Sequence, residues 1–121
     1  MTKAQLFKAL NELCDNMNYE YNINSGGCCF VAAAIAEQLE IHHIPFEVAF
    51  TEHPTHYAIK VSDRFINRDG YYFDEFYDWN SEYLYDTYYD EVWNDCYNRR
   101  WNLIVQTRIR ALFRKYENSR T

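Results

Sequence analysis

No apolar run in this chain approaches membrane-spanning length, and the opening residues, MTKAQLFKALNEL, read as an amphipathic helix and not as a signal peptide. There is no Cys-x-x-Cys, and Cys14, Cys28, Cys29 and Cys96 follow no regular framework spacing. An adjacent pair such as Cys28-Cys29 does not easily bridge to itself, so thiols in a reducing cytoplasm are the simplest reading. Internal repeats, low-complexity tracts and a second domain are also missing, which leaves residues 1–121 as one domain. Bases are absent from residues 78–97, which hold six acids, and residues 98–121 hold seven bases against the single acid Glu117. A net charge of −6 argues against a phosphate-backbone partner, and the basic C-terminal stretch has an acidic neighbour to answer it. Neither a membrane nor a nucleic-acid partner is expected.

What is present is aromatic. Tyrosine occurs 12 times in 121 residues, and it suits positions where a ring is buried and a hydroxyl stays wet. Leu6, Phe7, Leu10, Leu13 and Cys14 recur at helical spacing and predict a helix over 3–15, capped by Thr2. The Asn-rich stretch from Asp15 to Gly27 reads as a loop. A second helix is expected from Cys28 to His42, closing before Ile44-Pro45, with Cys28, Val31, Ala32, Ile35 and Leu39 as its apolar stripe. Cys29 lies further round, with Ala33, Ala36, Glu37 and Glu40. Alternation then predicts strands over 46–51, 56–61, 64–67 and 71–76, arranged as an antiparallel meander. Two helices are expected to end the chain. The first is capped at Asn80 or Ser81 and carries Leu84, Tyr88, Val92 and Trp93. The second carries Trp101, Val105, Ile109, Leu112, Phe113 and Tyr116 on one face and arginines on the other.

A thiol in the first turn of a helix faces unpaired N–H groups and the positive end of the helix dipole, and both favour a thiolate. The preceding Gly26-Gly27 lets a backbone come close to a substrate. A base is also needed, and His56, at the start of a strand on its more open side, is the candidate. A two-residue loop at Ser62-Asp63 would pair Val61 with Arg64 and place His56 diagonal to Asn67, about 7–8 Å away. Asp69 would lie opposite His56 in the same register, but a turn at Asp69-Gly70 draws it away, so Asn67 is preferred as the group that orients the ring. Cys28, Cys29 and His56 could offer zinc ligands, and His42, His43 and His53 invite the same check. Adjacent cysteines rarely fit one tetrahedral site, however, so no metal or other cofactor is expected. His42-His43 reads as a helix end, where a cation suits the dipole.

Gly-Gly-Cys opening a helix, Ile44-Pro45 after it, a strand starting with His and an Asn from the next strand together resemble the transglutaminase-like branch of the papain-like cysteine protease superfamily. The resemblance covers roughly residues 25–75. It implies a nucleophile at Cys28 when counted back from Ile44-Pro45, or at Cys29 when counted from a papain-like Cys-aromatic pair, here Cys29-Phe30. It implies His56 as the base and Asn67 as the third member of a triad, with Asn22 or Asn24 as an oxyanion donor. The chain departs from the family pattern at three places: His43 stands for the glycine before Ile-Pro, Ala58 for the tryptophan after the histidine, and Asn67 for an aspartate.

The expected fold is therefore α+β, a papain-like or transglutaminase-like domain with the Cys-bearing helix packed on an antiparallel sheet between flanking helices. Two functions follow. One is a thiol hydrolase or acyl transferase acting on the amide or peptide bonds of a peptide or protein substrate through Cys28, His56 and Asn67. The other is a catalytically idle domain of the same fold that binds a protein through its tyrosine-rich surface.

Overall fold

A computed structural model describes residues 1–52, 55–78 and 96–119, with side chains in the last stretch from Arg99 onward. The chain is α+β. Helix α1 spans Lys3–Tyr21, α2 spans Cys28–Ile41 and α3 spans Cys96–Asn118. The strands are β1 (Glu47–Glu52), β2 (Thr55–Val61), β3 (Arg64–Ile66) and β4 (Glu75–Tyr77). The expected helix at residues 80–95, the tyrosine-rich stretch beyond Asp78, and His53 lie outside the described residues.

Thr2 caps α1 as expected, in a capping box with Gln5. The helix does not stop at residue 15, however. It runs on to Tyr21 and ends at Asn22, which adopts the left-handed conformation and donates its N–H to Asn18 O. The asparagines there are weak helix formers, each costing about 0.7 kcal/mol relative to alanine. Met17 continues the buried stripe of Leu6, Leu10 and Cys14, and burying such a side chain contributes about 1.5–3 kcal/mol. Packing wins over propensity.

Helix α2 is nearly apolar all round in its first turns. Cys28, Phe30, Val31, Ala32, Ala33, Ala34, Ile35 and Ala36 are all buried and Cys29 is half-buried, while Glu37 and Glu40, on the side of Cys29, stay exposed. The helix packs on β2 and against α3, and α3 packs in turn on α1. Helix α3 turns Val105, Ile109, Phe113 and Tyr116 inward, as its periodicity requires. Two of its arginines answer acids of the other helices: Arg108 lies 3.2 Å from Glu20 and Arg110 lies 3.9 Å from Glu37. His42 caps the end of α2. Its Nδ1 lies 2.8 Å from Gln38 O and its Nε2 lies 3.1 Å from Glu117. His43 takes φ 56°, a conformation glycine adopts without cost.

The hairpin register is the expected one: Ser62 and Asp63 form the turn, Val61 pairs with Arg64 and Ile59 with Ile66. The meander is not. The sheet is antiparallel with the order β3-β2-β1-β4, so the fourth strand pairs with β1 at the far edge. Residues 71–74 are not strand at all. Residues 67–74 instead form a crossover that must span three strand spacings, roughly 14 Å. The reason is visible in the sides of the sheet. Val48, Phe50, Tyr57, Ile59 and Ile66 join the helices in one core, while Ala49, Ala58, Lys60 and Phe65 point the other way. The crossover lays Phe73 on Phe65, with ring centroids 5.4 Å apart, and so covers that second side.

The two glycines before α2 have different causes, backbone conformation at Gly26 and packing at Gly27. Gly26 has φ 109°. A Cβ on Gly27 would sit 2.7 Å from Ile23 O and 3.0 Å from the Trp101 ring. The close approach is therefore made by the protein's own atoms. Gly27→Ala is expected to lower stability by about 1–3 kcal/mol, read as a shift in the urea midpoint. An unchanged midpoint would show that the loop yields freely.

Candidate functional site

Cys28 and Cys29 are the first two residues of α2, after Gly27 at the N-cap. Both carry thiols, as does Cys14. Cys28 is only 5% exposed and belongs to the core shared with Tyr57 and Ile59. Cys29 is the more accessible of the pair. Burial, reinforced by the Asp15 carboxylate, pushes the Cys14 thiol up to about 12.

His56 is fully buried near the start of β2. Alternation along the strand sends its ring to the side of Ala58 and Lys60, whereas Tyr57, Ile59 and Val61 point to the core that holds Cys28. The crossover closes over the ring: Tyr71 lies tilted against it at 4.5 Å and Phe73 stacks at 6.0 Å between centroids. Nε2 lies 2.7 Å from the main-chain carbonyl of Asn67. A carbonyl only accepts, so Nε2 carries the proton of the neutral ring and the lone pair falls on Nδ1. Nδ1 is buried and has no hydrogen-bond partner among the described residues, so it makes no hydrogen bond to Cys28 or Cys29. Burial holds the pKa of His56 below the ordinary histidine value. The Asn67 carbonyl and the Asp69 charge pull in the opposite direction.

The structure thus brings His56 and Asn67 together, but through the main chain of Asn67. The Asn67 side chain has other work. Its amide pairs reciprocally with that of Asn24, at 3.1 and 3.0 Å. Asn24 Nδ2 also donates to Asp69 at 2.9 Å. The donors of Asn24, considered for an oxyanion, are committed to this pair, and Asn22 is the left-handed cap of α1. Asp69 does not lie across from His56. The described β2–β3 pairs end at Ile59 and Ile66, and Asn67 then turns the chain away with φ 65°.

Sequence reasoning missed Asn11. From α1 its Nδ2 donates to Phe65 O at 3.1 Å, and its Oδ1 accepts from Asn67 N at 2.9 Å. These are the two bonds a further strand would make to the edge of β3. The only available signal was a polar residue one step from the apolar stripe of α1, which is too common to single out. Among the described residues no group of three or more His, Cys, Asp or Glu side chains is placed to hold a metal, and no helix is long and apolar enough to cross a membrane.

Compared with protein-family models, curated proteins and solved structures, the chain matches none of them.

Asn11→Ala would leave both the Phe65 carbonyl and the Asn67 N–H without their partner. It is expected to cost about 1–3 kcal/mol in urea unfolding. A loss below experimental error would show that water replaces both bonds.

Proposed function

We propose that this chain is a protein-binding domain on a transglutaminase-like scaffold, in which Cys28, His56 and Asn67 hold the fold and run no reaction. The observation that carries this reading is the placement of His56. Its ring is enclosed by Tyr71 and Phe73, on the side of β2 away from the core that contains Cys28. A base must come within hydrogen-bond reach of its nucleophile or of one intervening water, and Nδ1 here bonds to neither cysteine. The scaffold resemblance is supported by the Cys-bearing helix on an antiparallel sheet, the histidine opening β2 and the asparagine that follows β3. A binding surface is offered by Tyr72, 84% exposed beside Arg68, and by Phe76 with Lys60 over its ring. Such aromatic and cationic side chains are enriched where proteins meet. The thiols suit a reducing compartment such as the cytoplasm.

A second reading keeps the enzyme: a thiol hydrolase or acyl transferase for amide or peptide bonds. It draws on one specific observation, the tautomer of His56, which leaves a lone pair on Nδ1 as a general base requires. In that chemistry the Cys28 or Cys29 sulfur attacks the carbonyl, and the imidazole takes the thiol proton and returns it to the leaving amine.

Iodoacetamide labelling separates the two. For the binding domain, neither Cys28 nor Cys29 reacts faster near neutral pH than a reference thiol, and Cys14 reacts slowest of all because burial and Asp15 keep it protonated. Rapid labelling of Cys28 or Cys29 that slows in His56→Gln would overturn the binding-domain reading in favour of the hydrolase.

A further inference from the structure

We propose that protonation of His56 releases the 67–74 crossover from the sheet, so that this side of the domain opens as pH falls while the helical core stays closed. The geometry leaves the charged ring nowhere to put its second proton. Nε2–H is satisfied by the Asn67 carbonyl, but Nδ1 is buried with no hydrogen-bond partner among the described residues. A protonated ring would hold an unpaired charged N–H beneath two aromatic rings, a costly arrangement. The least resistant exit is through the crossover. It is joined to the sheet side by the ring contacts of Tyr71 and Phe73 and anchored at one end by Asn24, which bonds both Asn67 and Asp69. Opening would uncover Ala58, Ala49 and Phe65 beside the already exposed Phe76.

The charged groups around the ring are few among the described residues. Asp69, on the crossover, favours the protonated ring. Arg68 is engaged on Phe65 and Tyr72, and Lys60 on Phe76. Asn11 of α1, Asn24 of the α1–α2 loop and Thr51, opposite His56 on β1, carry no charge. The sign follows from linkage. In the closed state His56 titrates below the ordinary value of 6.5, and once released it titrates near that value. The open state therefore binds more protons, and opening grows as pH falls below 6.5. The gain is at most about tenfold per pH unit, and it levels off once the closed-state ring also protonates.

Hydrogen exchange of the full chain, read by mass spectrometry at pH 7.5 and pH 5.0 and corrected for intrinsic rates, tests this. Peptides covering 67–74 are expected to gain exchange at pH 5.0 while those of α2 do not, with the step absent in His56→Gln. Asp69→Asn, which removes the charge that favours the closed protonated ring, is expected to keep or enlarge the step in a chain that keeps its histidine. This second variant decides the matter if His56→Gln does not fold. No gain in 67–74, a gain shared equally by α2, or a step that Asp69→Asn shrinks would each overturn the proposal.

Discussion

The hydrogen bond from His56 Nε2 to the Asn67 carbonyl is the contact on which the sheet's outer side is organised. It fixes the ring tautomer, and it ties the start of β2 to the residue at which the chain leaves β3. That residue is itself held from three directions: by Asn11 through its N–H, by Asn24 through its side chain and by the histidine through its carbonyl. Because Asn67 leaves the strand with positive φ, the chain after it turns over the sheet and does not pair on as another neighbouring strand. The burial of His56, the ring contacts of Tyr71 and Phe73, and the position of β4 beside β1 all follow from that exit.

The same contact separates what a protease-like reading would join. A neutral histidine with its lone pair on Nδ1 is the right tautomer for a base, and a thiol at a helix tip is a suitable nucleophile. Chemistry also requires that the two face each other. Here strand alternation sends the imidazole to one side of β2, while Cys28 is packed with the residues of the other side. A scaffold can keep the residue types of a reaction while using them for packing, and for that reason residue types in order do not by themselves make an active site.

A buried histidine with one unsatisfied nitrogen is also a weak point. Most buried polar atoms find partners, because leaving one unpaired in a low dielectric costs free energy. Here that cost is borne by a neutral ring, which needs only one donor bond, and it rises sharply once the ring is charged. Within the helical core, Cys14 stays a protonated thiol across the ordinary pH range.

Much of this was legible from residues alone because it depends on local spacing. The stripe of α3, the cap at Thr2, the start of α2 at Cys28 and the Val61–Arg64 register of the hairpin are all set by neighbours a few positions apart. Three features needed the tertiary structure. The extension of α1 through Met17 depends on a core that only the folded chain supplies. The transfer of β4 to the far edge depends on covering a second side of the sheet, whose apolar residues do not say by what they are covered. The pairing of Asn11, Asn24 and Asn67 joins residues up to 56 positions apart, and amides carry no periodicity to announce one another. Spacing reports which side of an element a residue takes, but only packing decides which other element meets that side.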